Sequence, residues 1–182
     1  MTPPRIAYQN TQNWLVAMRD SEQLDDLALA WESFLIYHQR TWRKCAAHYK
    51  EKEFWGSLQS KYSTRRKTDL TLIYVHQARN AEEHGIQPIV QVQLGSTKVS
   101  SGTLTGGTSI TGGGDYTLGR DSTATIEVIP TAVLSNPVEN RGITYHPPTL
   151  QGSSTPPVLY IAEAAIKFYD DMFAEIDAAG GD

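Results

Sequence analysis

Thr68-Asp69-Leu70-Thr71-Leu72-Ile73-Tyr74-Val75-His76-Gln77-Ala78-Arg79-Asn80-Ala81-Glu82-Glu83-His84-Gly85 is the stretch on which the reading of this chain turns. Leu70, Ile73, Tyr74, Gln77, Ala78 and Ala81 recur at helical spacing, Thr68 can cap the start, and Gly85 is placed to end the helix in a left-handed conformation. An Arg, an Asn and a His fall together in its last turns. Those side chains can bind a phosphate, orient a hydroxyl and move a proton near neutral pH without a metal.

Helical periodicity extends upstream. From Ser21, read as an N-cap with Glu22, Asp25 and Asp26 behind it, apolar positions recur at Leu24, Leu27, Ala28, Trp31, Phe34, Leu35, His38, Trp42, Cys45 and Tyr49, which predicts one long amphipathic helix. A shorter helix is expected from Glu51 to Tyr62, interrupted or bent near Gly56, and an earlier one through Trp14, Leu15 and Met18. Near the other end Pro156-Pro157 opens a last helix with Val158, Ala162, Ala165, Ile166, Tyr169, Phe173 and Ile176 on one side, stopping before Ala178-Ala179-Gly180-Gly181.

Between Gln87 and Leu150 charge nearly vanishes and Gly, Thr, Ser and Val take over. Alternating segments at Ile89 to Leu94, Lys98 to Leu104 and Thr123 to Ile129 predict strands, with turns at Gly106-Gly107 and Gly112-Gly113-Gly114. Pro130, Pro137 and Pro147-Pro148 argue against an unbroken sheet after Ile129. The expected architecture is mainly α: one domain, with residues 1–86 as the first part of a helical bundle, 87–150 as a β-hairpin or small-sheet insertion, and 151–182 as the helix that completes the bundle.

Net charge is −4 over 182 residues, so the chain as a whole makes no case for nucleic acid. Its distribution does. Ten of the sixteen basic residues lie between Arg40 and Arg79, against Glu51, Glu53 and Asp69 alone, while Glu163, Asp170, Asp171, Glu175, Asp177 and Asp182 crowd the last twenty-five residues against Lys167. A basic stretch leading into a phosphate-competent motif suits RNA, with Arg65, Arg66, Lys67 and His76 as contacts; a solvated helix face is the plainer account. Cys45 is the sole cysteine, so no internal disulfide can form, and no apolar run is long enough to cross a membrane. Met1-Thr2-Pro3-Pro4-Arg5 has no apolar signal region behind it, and a soluble, cytoplasmic protein is expected.

Other constellations carry less. His38, Cys45 and His48 lie within about 80° on the long helix, compatible with zinc in form, but they share its apolar stripe and core packing is the better account. No metal or other cofactor is expected. The run Gly106 to Gly114 lacks the ending of a phosphate-binding loop and reads as turns. Tyr116 and Tyr145 are candidates for base stacking.

At 100° per residue Asn80 and His84 lie about 40° apart with His76 in the same row, whereas Arg79 and His84 are about 140° apart. One helix cannot easily aim both at one phosphate. Two copies about a two-fold axis can, each supplying Arg, Asn and His to a shared cleft.

Arg79-Asn80-Ala81-Glu82-Glu83-His84 matches, at every specified position, the Arg-Asn-x-x-x-His motif of the HEPN superfamily, and the run from Trp31 to Ile86, with Glu53-Phe54-Trp55-Gly56 and Gln77 to Ile86, resembles bacterial HEPN-like proteins of unassigned role. The resemblance covers about a third of the chain. It implies a helical bundle, a homodimer and a metal-independent endoribonuclease of the toxin–antitoxin or antiviral-defence kind that cuts single-stranded RNA by 2′-hydroxyl attack. His84 would be general acid or base, Arg79 would stabilise charge on the phosphate, and Asn80 would orient either. A subgroup that pairs with nucleotidyltransferases carries Tyr two residues after the His; Ile86 stands there, which disfavours that partner.

Each residue also has a structural reading: His84 can satisfy carbonyls at a helix end, and Arg79 can pair with Glu82 or Glu83. The alternative to a nuclease is a non-catalytic bundle serving dimerisation or docking a protein partner through the β insertion. A third reading is an RNA-binding adaptor that does not cut.

Overall fold

The computed structural model describes residues 1–83, 89–93, 96–101, 109–110, 116–117, 123, 125–129, 132–148 and 157–181. The expectations placed on His84, Gly85, Leu104 and the glycine-rich turns fall outside these residues. The chain is mainly helical, with its β segments ahead of the last helix. Among the described residues the helices are α1 (Pro3–Asp20), α2 (Leu24–His48), α3 (Trp55–Thr68), α4 (Leu70–Glu83) and, after the strands, α5 (Val158–Ala178).

α1 and α2 form a helical hairpin, because residues 21–23 leave room for only a tight connection. Where they cross, the buried hydroxyls of Thr11 and Thr41 meet at 3.1 Å. Ser21 does not cap α2: its Oγ donates to the Ala17 carbonyl at 2.6 Å, which ties it to the end of α1, and Gln23 precedes α2 without a side-chain cap. A serine within reach of an i−4 carbonyl takes that acceptor in preference.

Gly56 bends nothing. It is the second residue of α3, which starts after turns closed by Lys52 N–H to Tyr49 O (2.8 Å) and Trp55 N–H to Lys52 O (3.0 Å) and continues past Tyr62 to Thr68. Thr68 then belongs to α3, bonding back to Thr64 O at 3.1 Å. Asp69 caps α4 in its place: its Oδ1 accepts the N–H groups of Thr71 at 2.9 Å and Leu72 at 3.3 Å.

α5 packs against α1, α2, α3 and α4 and is apolar nearly all round, burying Val158, Ile161, Ala162, Ala165, Ile166, Phe168, Tyr169, Met172, Phe173 and Ile176. Each large apolar side chain so buried contributes about 1.5–3 kcal/mol over leaving it in water, which makes α5 the centre of the core. Its polar edge is tied down as well. Asp170 accepts from Tyr8, Asp171 from Arg65, Glu175 from Lys61 and Tyr62, Asp177 from Arg5, and Glu163 from Arg19.

Among the described residues the short strands between α4 and α5 are β1 (Val90–Gln93), β2 (Ser96–Ser101), β3 (Ser109–Ile110), β4 (Tyr116–Thr117), β5 (Thr125–Ile129), β6 (Ala132–Ser135), β7 (Val138–Asn140) and β8 (Ile143–Tyr145). They form two-stranded pairs, β1 with β6, β2 with β5, β3 with β4 and β7 with β8. β2 and β5 run antiparallel from Ser96 opposite Ile129 to Ser101 opposite Thr125, with a bulge after Val99. The chain divides into two compact units, Met1–Gln91 with Leu134–Asp182, and Val92–Val133.

The β7–β8 hairpin therefore sits with the helices. It turns through Arg141 (φ 53°) and Gly142 (φ 75°), both left-handed as a two-residue hairpin loop of this twist requires. Val138 is buried, the Tyr74 hydroxyl donates to Asn136 O at 2.6 Å, and Asn140 donates to Gln77 Oε1 at 2.7 Å, so the hairpin is fastened along α4.

Candidate nucleic-acid interface

Ile36, Gln39, Arg40, Arg43, Lys44 and Ala47 follow at three- and four-residue intervals, so they form one stripe along α2. Ser63, Arg66 and Lys67 of α3 and His76 and Arg79 of α4 face it. Three adjoining clefts result. The first, about 410 Å³, is bounded by Gln39, Trp42, Arg43, Ser63, Arg66, Lys67 and His76. The second, about 320 Å³, shares Gln39 and Arg43 with it and adds Arg40, Lys44 and Arg79. The third, about 330 Å³, shares Ile36, Arg40 and Arg79 with the second and ends at Glu32 and Glu82.

Among the described residues they make a groove with six cations along its length and two carboxylates at one end. The ion pairs among the described residues include Arg5–Asp177, Arg19–Glu163, Lys50–Glu51, Lys61–Glu175 and Arg65–Asp171. None involves Arg40, Arg43, Lys44, Arg66 or Lys67. The acidic face of α5 thus neutralises Lys61 and Arg65 and leaves the groove positive. Carboxylates at the far end repel one another: burial and, after it, the Glu82 charge push the Glu32 carboxyl above its usual range.

Arg79 and Asn80 of the α4 motif lie beside His76. Arg79 Nη1 is 3.4 Å from Asn80 Oδ1, and Asn80 Nδ2 is 3.4 Å from His76 Nε2. These are long contacts that align the three side chains without holding them tightly. Burial, followed by the charges of Arg66, Arg79 and Arg43, lowers the His76 pKa and keeps the ring neutral near pH 7.

Of the RNA contacts expected from sequence, Arg66, Lys67 and His76 line the first cleft, whereas Arg65 turns to Asp171 on α5. Arg79 and Asn80 lie together; His84 is outside the described residues. Sequence reasoning counted Arg40, Arg43 and Lys44 as charge only, although their spacing on the solvent side of α2 was a readable signal for a lined groove. His38 and Cys45 are buried and His48 is exposed, its ring 4.8 Å from that of Tyr49. No group of three or more metal-ligating side chains gathers among the described residues. Tyr145 lines a separate cleft of about 330 Å³ with Leu70, Ile73, Tyr74, His146 and Pro147, and the Tyr116 side chain is outside the described residues.

In comparisons with known proteins, no family model, curated sequence or solved structure matches this chain. No helix among the described residues is long and apolar enough to cross a membrane.

Proposed function

We propose that this chain is a metal-independent endoribonuclease of HEPN type, which seats single-stranded RNA in the groove between α2 and α4 and cleaves it by 2′-hydroxyl attack. The observation that carries the RNA reading is the run of Arg40, Arg43, Lys44, Arg66, Lys67 and Arg79 along one groove, with the carboxylates of α5 engaged elsewhere. A continuous file of cations with few carboxylates suits a polyanion whose phosphates recur along its length. Cleavage rests on the motif. Arg79 stabilises charge on the scissile phosphate, Asn80 orients it, and His84 moves the proton.

The working unit is a homodimer in the cytoplasm, serving in a toxin–antitoxin or antiviral role. In support, Ile36 and Leu29 stand 43% and 58% exposed, seven residues apart on α2 at the Arg79 end of the groove, an apolar patch that a second copy would cover. A protein partner docks through the β insertion.

Incubation of purified protein with end-labelled single-stranded RNA in excess EDTA tests the reading, beside Arg79→Ala and His84→Ala and with product ends mapped. Cyclic-phosphate ends made by the wild type and lost in both variants are expected. Cleavage unchanged in the variants overturns the assignment. RNA that is bound in a salt-dependent way and left intact identifies an adaptor, and RNA neither bound nor cut leaves the non-catalytic bundle.

A further inference from the structure

The first cleft has features that a general polyanion track does not need. Arg66 is fixed before any ligand arrives: its Nη2 donates to Gln39 Oε1 at 2.8 Å, and its guanidinium lies 4.7 Å over the Trp42 ring. A cation held this way loses little side-chain entropy on binding. Arg43 from α2 and Lys67 from α3 reach the same cleft from exposed positions, and Ser63 offers a neutral hydroxyl. No carboxylate lines it among the described residues. His76 closes the inner side; its Nδ1 is buried and has no hydrogen-bond partner among the described residues.

We propose that this cleft is a phosphate-binding site in which Arg43, Arg66 and Lys67 hold the anion and His76 takes up a proton as the anion enters. The inference rests on the reading of the groove as a track for nucleic acid and does not require that the chain cleave it. The groups facing His76 are Arg43 from α2, Arg66 and Lys67 from α3 and Arg79 from its own helix, with the buried His38 of α2 nearby. In the empty cleft these positive neighbours, added to burial, disfavour imidazolium. A phosphate placed among them cancels that repulsion and adds an attraction, so the ring gains a proton from solvent. Affinity for a phosphodiester, whose charge is fixed in this range, therefore rises as pH falls through the imidazole range, while a terminal phosphate is held most strongly as the dianion present above its second pKa of about 6.

The test uses the full chain. His76 ring resonances, assigned with His76→Gln, are followed by NMR against pH with and without inorganic phosphate at low salt. Binding of 5′-phosphorylated and 5′-hydroxyl copies of one short RNA is measured in a His84→Ala background. Phosphate is expected to bind saturably and to move the His76 titration to higher pH. Arg43→Gln with Lys67→Gln, both at exposed positions and checked for intact helicity, should weaken phosphate by about tenfold or more. Tighter binding of the 5′-phosphorylated RNA, lost in the double variant, assigns the site to chain ends; equal binding of the two RNAs, lost in the same way, assigns it to internal phosphodiesters. A His76 titration unmoved by phosphate overturns the proposal, as does a double variant that binds as tightly as wild type. Binding is read without cleavage, so wild-type protein that leaves RNA uncut in the EDTA assay beside an intact phosphate response ends the nuclease reading and leaves the site standing.

Discussion

Arg65 Nη1 lies 2.6 Å from Asp171 Oδ2 on α5, while the next residue, Arg66, faces the opposite way into the groove with its guanidinium over Trp42. Adjacent positions on a helix are turned by about 100°, so one basic run is divided between two tasks: Arg65 closes α3 onto α5, and Arg66 and Lys67 serve the groove.

Neutralising the two groups should separate the tasks. Lys67→Gln is expected to weaken RNA binding and lower the salt dependence by the share of about one phosphate, a slope change near 0.7 for a single strand. Arg65→Gln should leave that slope unchanged and cost stability of at most about 1 kcal/mol, because the Arg65 and Asp171 side chains are 37% and 49% exposed. Anisotropy titrations at several salt concentrations, with urea melts beside them, decide it; an equal loss of slope in both variants would place Arg65 in the groove.

Stability should fall in mild acid. His38 is buried with its Nε2 unpartnered among the described residues, and burial, followed by the Arg66 charge, pushes its pKa down to about 3. The unfolded chain takes up a proton below the ordinary imidazole pKa of 6.5, and the folded one does not, so folding weakens as pH drops from there. By about pH 4.5 this amounts to about 2–3 kcal/mol. His76, also lowered, adds to the slope, and Glu32, raised, opposes it. Glu175, lowered by its bonds from Lys61 and Tyr62, contributes only as pH falls below the carboxylate range. Urea unfolding at a series of pH values should show a shallower acid slope for His38→Gln than for wild type; identical slopes would mean that His38 is protonated in the fold.

Elements whose own residues specify them were legible from sequence. α5 shows its apolar face in Val158, Ala162, Ala165, Tyr169 and Phe173, and β5 alternates from Thr125 to Ile129. Boundaries were not, where two capping residues compete. Thr68 and Asp69 are both good caps, and only the preceding helix, which claims the Thr68 hydroxyl, leaves the task to Asp69. The β7–β8 hairpin escaped notice because Arg141 is a poor residue for a left-handed turn, tolerated beside Gly142 while the hairpin is fastened to α4. Arg79 and Asn80 stood out as a motif, but the groove around them is assembled from α2, α3 and α4, and the partner of Arg65 lies 106 residues away. Charge counts cannot show which cations are already taken.

Asp69 holds the start of the helix that carries the motif. Asp69→Ala removes the acceptor of two backbone N–H groups and a negative charge at the positive end of α4, at a cost of about 1 kcal/mol. Asp69→Asn keeps the acceptor and should recover most of the loss. Thr68→Ala should change stability little, since its hydroxyl serves only the Thr64 carbonyl. Thermal melts of the three variants check the order; a larger loss for Thr68→Ala than for Asp69→Ala would show that the cap is misplaced.

The far end of α5 closes on Gly180 and Gly181, and the two should respond differently to alanine. Gly181 N–H bonds to Ile176 O at 2.9 Å and Gly180 N–H to Asp177 O at 3.0 Å, with Gly180 at φ 74°, the geometry by which a helix satisfies its last carbonyls. At Gly180 a methyl group meets open space, so Gly180→Ala costs only the left-handed conformation, about 1 kcal/mol. At Gly181 a Cβ runs into the Ile176 side chain, its carbonyl oxygen at 2.9 Å and Phe54 Cζ at 3.0 Å. Backbone cannot yield as a side chain can, so Gly181→Ala must unwind the terminus and release the Phe54 contact, at about 1–3 kcal/mol if the end stays docked. Hydrogen exchange at the amides of residues 179–181 separates the two outcomes: slow exchange kept in Gly180→Ala and lost in Gly181→Ala is expected, and protection kept in both would mean that the terminus can shift at no cost.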